Sequence, residues 1–396
     1  MKPIKYKMMG LATALTIMGL ISCKKLTDGY STDPVAITEP SVISISRYLS
    51  GIEMSLIAAY EGDIVMYSGI WANYFNGEER QFKGIGNYIV TAELMDNTWQ
   101  LIYNKILKNH LLLEEKALAT NNYTALAISQ VNLALAMGLA ADLWGDVPYS
   151  EAGKYPEIAE PKYESQSSVY ATVQKLLDDA IANYNKDTGK SDGDFFLKGS
   201  KAQWISVIHS AKARYYLHTK DYQKAISHAL SGISKADENL MAPHGNTVDK
   251  NYNMYYTFLV PRRLGYMLAN CYAPELLDPD KKATYRGNRK TDESARLWWY
   301  YAPGGLDHSS AAYEPNYSCP KHKKYNKYSG FFGNNTSFPL LTFEETKLIL
   351  AEAYMKQSAP EPEKALAQLN ALRQHYNTGA PFKNSAALGK TFKYEN

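Results

Sequence analysis

The residues best suited to chemistry in this chain are scattered, and their spacing argues against catalysis. There is no Gly-x-Ser-x-Gly elbow, no His-Glu-x-x-His pair and no phosphate-cradling glycine loop. Gly84-Ile-Gly86 is an isolated fragment of such a loop. His209 and His218 share one helical stretch but lie about half a revolution out of alignment at 3.6 residues per turn, so they cannot hold one metal across that face. Asp192 and Asp194 in "SDGDFF" have the oxygen chemistry of a calcium loop, yet a polar turn between helices accounts for them better. No spacing pairs two carboxylates for glycoside cleavage. The expectation is a protein without catalytic residues, metal or cofactor.

Binding chemistry is better represented. Flat aromatic faces stack on the C–H surfaces of sugars, while Asn, Asp, Arg or Gln bond the hydroxyls; extended peptides can use similar platforms. Two stretches carry that mixture. "MYSGIWANYFNGEERQF" offers Tyr67, Trp71, Tyr74, Asn76 and Arg80. "ARLWWYYAPGGLDHSSAAYEPNY" offers Arg296, Trp298, Trp299, Tyr300, Tyr301 and Asp307. Any one of these aromatics could instead pack a loop onto the rest of the protein. If Trp298-Trp299 is extended, the two indoles point opposite ways, one inward and one free. "PKHKKYNKY" at 320–328 is a basic loop that reads as solvated surface.

The elements that must position these residues are helical. Apolar periodicity recurs in four pairs: Ser46–Met66 with Ala92–Leu118, Tyr123–Trp144 with Ser167–Tyr184, Ala202–Thr219 with Asp221–Lys235, and Thr342–Gln357 with Glu361–Gln374. The third and fourth pairs resemble each other, "AKARYYLHTKDYQKAISHAL" against "AEAYMKQSAPEPEKALAQLN". Alanines let antiparallel helices approach closely, and Tyr216, Tyr222 and Tyr354 fill the space beside them, as in tetratricopeptide-like hairpins. Residues 236–341 break the pattern; rich in Pro, Gly, Asn, Tyr and Trp, they read as a long functional insertion. "WGDVPYSEA" from Trp144 is a helix stop. Gly145 supplies a left-handed cap, Asp146 satisfies turn amides, Pro148 blocks continuation and Tyr149 packs the turn.

The N-terminus has a basic segment with Lys2, Lys5 and Lys7, then an apolar run from Met8 to Ile21, too short to span a membrane. Residues 1–22 read as a signal peptide. Leu20-Ile21-Ser22-Cys23 resembles a bacterial lipobox, with Cys23 acylated and residues 23–40 a flexible tether to a single domain over 41–396. The 43 Lys and Arg, less those three lysines, leave 40 against 40 Asp and Glu. A neutral balance gives no long-range pull on nucleic acid. Cys271 and Cys319 are too few for a disulfide framework.

Four features together resemble the SusD/RagB family of outer-membrane nutrient-binding lipoproteins. They are the lipobox; "LAADLWGDVPYSEA"; "WISVIHSAKARYYLH" from Trp204 to Arg214; and "FPLLTFEETKLILAEAY", matching at Phe343, Glu345, Leu348, Ala351, Glu352 and Ala353. The resemblance implies a mostly α fold, with four tetratricopeptide-like pairs (about 46–118, 123–184, 202–235 and 342–374) packed against an irregular, loop-rich half. It implies a surface-exposed lipoprotein, anchored in the outer membrane by lipid, that captures oligosaccharide for a SusC-type TonB-dependent transporter. A peptide ligand, or a scaffold that binds no nutrient, are the alternatives. In that family the two aromatic regions commonly contribute ligand contacts, and members commonly continue beyond the fourth pair with further helices. The stop at "GKTFKYEN" therefore implies a truncated or shortened version.

Overall fold

In the computed structural model, residues 42–247, 251–281, 285, 291–303, 313–316, 330–382 and 393 are described. Cys23, Asp307, Cys319, the leader and tether, and the basic loop at 320–328 lie outside them. The chain divides into residues 1–44 and 45–396, and the second unit holds all the elements below.

Helix α1 (Ile45–Glu61) buries Leu49, Ile52 and Leu56, the spacing of one helical face. The single helix expected to run to Met66 breaks at Gly62, whose ψ is −145°, and α2 (Asp63–Trp71) follows. Strand β1 (Asn76–Gly77) and α3 (Arg80–Gly86) form the first insertion. Helix α4 (Asp96–Gln100) runs through a wider π turn, Leu101–Leu107, into α5 (Lys108–Ala119), which returns along α1 as the first pair.

Helix α6 (Tyr123–Trp144) starts where Asn122 Oδ1 accepts the Ala125 N–H at 3.1 Å. It is buried nearly all round, including Leu126, Ile128, Val131 and Leu135, which is why its sequence is apolar rather than striped. Its length and composition would suit a membrane span, but here it is the central core helix. It ends at Gly145, φ 74°, whose N–H reaches the Ala141 carbonyl at 3.0 Å. The Asp146 carboxylate accepts the Gln166 N–H at 2.9 Å, so the turn residue satisfies the first turn of the next helix. Between them β2 (Val147–Pro148) pairs antiparallel with β3 (Tyr163–Glu164), Val147 opposite Glu164. Helix α7 (Gln166–Asn185) completes the second pair.

Helix α8 (Lys201–His218) and α9 (Tyr222–Ala229) form the third pair. The latter stops short of the expected Lys235, because the chain turns in and the Ile233 N–H binds Ser210 Oγ at 2.8 Å. In the irregular half come β4 (Leu240–Ala242), α10 (Met254–Thr257), β5 (Met267–Leu268), α11 (Tyr272–Leu277), α12 (Ser294–Tyr300), β6 (Tyr301–Pro303), β7 (Tyr313–Pro315) and β8 (Phe338–Leu341). The fourth pair is α13 (Phe343–Lys356) and α14 (Pro362–Asn377). Thr342 caps α13, accepting the Glu345 N–H at 3.1 Å. Ala213, Ala225, Ala229, Ala351, Ala353 and Ala365 make the seam between the third and fourth pairs, with Tyr216, Tyr222 and Tyr354 packed beside them. The four expected pairs are present.

The irregular half leads through β8 directly into the fourth pair, and a buried carboxylate ties α1 to it. Strand β4 pairs with β8, Leu240 opposite Leu341 and Ala242 opposite Phe338. Glu61, fully buried at the end of α1, accepts the Met254 N–H at 2.7 Å and contacts His244 Nε2 at 2.7 Å. A buried carboxylate needs such partners.

Asp194 shows what "SDGDFF" does. Its carboxylate accepts N–H groups from Phe196, Leu197, Gly199 and the Trp204 indole, at 2.6–3.1 Å. With four donors it is a loop-organising residue, with no lone pair left over for calcium. Among the described residues no three His, Cys, Asp or Glu side chains are grouped to hold a metal.

Candidate ligand-binding site

The two aromatic stretches singled out in the sequence lie more than 200 residues apart and converge on one cavity of about 660 Å³. That size lies within the roughly 300–1,000 Å³ of small-molecule sites. Helix α2 and the turn after it supply Gly69, Tyr74 and Phe75; α10 supplies Tyr255; α12 and β6 supply Arg296, Tyr300 and Tyr301; the segment before β8 supplies Phe331 and Phe332. Strand β1 pairs with β5, Asn76 opposite Leu268, which fixes the first insertion onto the second. The Tyr301 hydroxyl donates to the Tyr74 carbonyl at 3.2 Å, and the Ala273 N–H to the Asn73 carbonyl at 3.1 Å.

The walls are a continuous aromatic cluster. Phe75 lies edge-on to Phe332 at 5.4 Å between centroids and to Tyr301 at 6.3 Å; Tyr255 meets Phe332 at 4.9 Å and Tyr300 meets Phe331 at 5.2 Å. Phe75, Tyr255, Tyr301 and Phe332 are almost wholly buried and build the wall, while Tyr300 and Phe331 are only partly covered. Tyr74, 55 % exposed, stands at the mouth. Burial raises the phenols of Tyr255, Tyr300 and Tyr301 above the usual tyrosine value, so they stay neutral hydroxyls at physiological pH. Arg296 and Glu293 form the charged edge, 3.7 Å apart. Apolar faces with a few hydroxyls and one ion pair suit non-covalent binding of an amphipathic ligand.

The other expected site residues sit elsewhere. Tyr67 is buried, its ring 5.9 Å from Phe82, and burial pushes its phenol up to about 12. Trp71 donates its indole N–H to the Ile85 carbonyl at 3.0 Å and pins α2 to α3. The Asn76 side chain accepts the Asn270 N–H at 2.7 Å and bridges the two insertions. Arg80 is exposed at the start of α3. None of these four is among the residues that line the cavity. Trp298 and Trp299 are not extended but lie in helix α12, whose first turn closes with the Leu297 N–H on the Glu293 carbonyl at 2.9 Å. The Trp298 carbonyl accepts from Asn316 Nδ2 at 2.6 Å. Trp299 faces a neighbouring cavity of about 510 Å³ with Asp237, Glu344, His375 and Tyr376. Phe75, Tyr255, Phe331 and Phe332 also line the cavity, and the aromatic richness of the two insertions is the sequence signal they carry.

The motif residues Arg214 and Glu345 meet in a separate cavity of about 470 Å³ that shares Val65 and Phe338 with the aromatic one. Arg214 Nε and Nη2 grip the Glu345 carboxylate at 2.5 and 2.6 Å, and Nη2 also donates to the Leu340 carbonyl at 2.7 Å. This bidentate clamp joins α8 to α13 and β8. It fixes the strand that carries Phe338, a residue of the cavity wall.

Comparisons with known proteins agree with this architecture. A family profile described as "Starch-binding associating with outer membrane" matches residues 39–375. Among solved structures, a SusD/RagB family protein from Bacteroides thetaiotaomicron is 19 % identical, with a TM-score of 0.64 over 87 % of this chain and 74 % of that one. A SusD homologue from Bacteroides fragilis is 18 % identical, with a TM-score of 0.61 over 87 % and 75 %. A chitin-binding SusD homologue from Flavobacterium johnsoniae is 15 % identical, with a TM-score of 0.60 over 82 % and 69 %. No curated protein matches the chain. With the profile spanning most of the sequence and the four helix pairs in place, the chain belongs to the SusD-like family.

Proposed function

We propose that this chain is an outer-membrane lipoprotein that binds oligosaccharide and delivers it to a SusC-type TonB-dependent transporter. On this reading Cys23 carries the lipid, residues 23–40 are the tether and 41–396 the binding domain, facing the cell exterior. The observation that carries the binding role is the meeting of Tyr74 with Tyr300, Tyr301 and Arg296 around one aromatic cavity. Family membership and a chitin-binding neighbour of the same fold support carbohydrate as the ligand. The mechanism is capture without bond making: rings stack on the sugar's C–H faces, and the neutral phenols, Arg296 and Glu293 bond its hydroxyls. No step calls for a nucleophile, metal or cofactor.

Calorimetric titration of the mature protein with malto-oligosaccharides, chito-oligosaccharides and a peptide panel tests this. Saturable binding of a glycan, weakened roughly three- to tenfold by Tyr74→Ala or Arg296→Ala, is expected for loss of one ring or one charged hydrogen bond. Binding of peptides alone would sink the carbohydrate assignment. Co-purification with a TonB-dependent barrel, lost with Cys23→Ala or not, tests the delivery role separately.

A further inference from the structure

The aromatic cavity and the neighbouring one that holds Trp299 are not independent. Both are bounded by the same three side chains, Arg296, Tyr300 and Phe331. That partition is fixed by a backbone ladder. The Phe331 N–H donates to the Trp299 carbonyl at 2.9 Å, the Asn316 N–H to the Tyr300 carbonyl at 3.0 Å, and the Phe332 N–H to the Asn316 carbonyl at 3.2 Å. The ladder fixes the backbone beneath Tyr300 and Phe331, so a ligand that uses both chambers passes over these rings.

We propose that the two cavities are successive subsites of one elongated site, which takes a neutral oligosaccharide whose chain crosses the ridge of Arg296, Tyr300 and Phe331. The proposal rests on the carbohydrate-binding reading above. The first chamber, with Tyr74 at its mouth, holds one end of the sugar chain. The second offers Trp299 and Tyr376 as stacking faces, with Asp237 and the Glu344–His375 pair as hydroxyl partners.

The charge along this path selects against acidic sugars. Among the described residues that line it, Glu293, Asp237 and Glu344 stand with one arginine, Arg296, which pairs with Glu293. His375 is held by Glu344 at 3.3 Å. A uronic acid in the second chamber would meet more carboxylate than cation, and like charges at close range are unfavourable. An uncharged polyol meets acceptors suited to its hydroxyl donors.

The test uses the mature chain and a ladder of neutral chito- and malto-oligosaccharides from the disaccharide upward. Wild-type affinity should rise with chain length, by roughly two- to tenfold once the sugar reaches Trp299, the range of one aromatic stacking contact. Ala380→Trp fills the second chamber from an exposed position on its rim, so it should abolish the gain while the disaccharide still binds as in wild type. Trp299→Ala should lower the gain with chain length and Trp299→Phe should keep more of it, each checked for an intact melt because Trp299 packs on Ala295 and Phe382. An oligogalacturonate of equal length should bind more weakly than the neutral chain. Length-independent affinity, a gain that survives Ala380→Trp, or tighter binding of the uronate would each overturn the two-chamber site while leaving carbohydrate binding intact. Failure of every glycan to bind would overturn the underlying reading as well.

Discussion

Replacing Gly138 by alanine will destabilise the helical half, although alanine is the better helix former. Gly138 lies in the middle of α6, where propensity alone predicts that alanine gains about 1 kcal/mol. The structure predicts the opposite sign. A Cβ at Gly138 would sit 2.1 Å from Tyr215 Cζ and 2.2 Å from its hydroxyl oxygen. Tyr215 cannot retreat: it is fully buried in α8, its hydroxyl donates to the Leu135 carbonyl at 3.3 Å, and its ring packs 5.9 Å from Tyr170. Relief therefore requires α6 and α8 to separate. Overpacking of this kind costs about 1–3 kcal/mol, and so severe an overlap belongs at the upper end, leaving a net loss of about 2 kcal/mol after the propensity gain. Urea unfolding of the mature protein followed by circular dichroism measures it. The same substitution in a Tyr215→Leu background should cost much less, because the two side chains are coupled through one contact. Equal or greater stability of Gly138→Ala on its own would refute the argument that this glycine exists for the helix crossing.

Three further outcomes follow from the same reasoning. Arg214→Met or Glu345→Gln should each cost about 3 kcal/mol, the low end for a broken buried ion pair because the Glu345 side chain keeps 32 % of its exposure, and the double variant Arg214→Met with Glu345→Leu should recover much of it in the same assay. Stability should fall as pH drops from about 6.5 toward 4, since burial holds His110 and His228 down to about 4 while the unfolded chain takes up protons near 6.5. His110, hydrogen-bonded to Ser129 Oγ at 2.8 Å, contributes up to about 3 kcal/mol of that loss, and a pH series of urea midpoints that stays flat below 6.5 would contradict it. Tyr149→Ala should lower stability by less than the roughly 3–5 kcal/mol of a fully buried aromatic and leave glycan affinity unchanged, because the residue packs the α6 stop and lies outside the cavity; calorimetry on the variant checks both.

A second titration opposes the acid limb. Burial, with Asp194 nearby, pushes the Glu53 carboxyl up to about 10. A raised folded value means stability that is fully present below the unfolded carboxyl range and is lost as pH rises toward 10. The two limbs bracket a stability maximum at mildly acidic to neutral pH.

Most of the helical half was legible in the sequence because most of its decisions are local; the break at Gly62 and the early end of α9, set by the Ile233–Ser210 contact, were not. The 3.6-residue pattern, the Gly145-Asp146 stop and the alanines of the seams are all encoded within a turn or two of where they act. The family motifs were legible too, but their purpose was not. Arg214 and Glu345 are 131 residues apart, and only the crossing of α8 and α13 makes them a clamp. The candidate site divides in the same way. Composition marked two aromatic stretches, and folding decided that Tyr74, Arg296 and Tyr300 line a cavity while Tyr67, Trp71 and Asn76 build its supports. An aromatic side chain has the same chemistry as a wall, a prop or a binding face. Which it becomes depends on non-local pairings, β1 with β5 and β4 with β8, that no periodicity records. The sequence by itself determined the elements and the kinds of surface available; tertiary structure alone decided which rings share a cavity, since cavities form between segments and not within them.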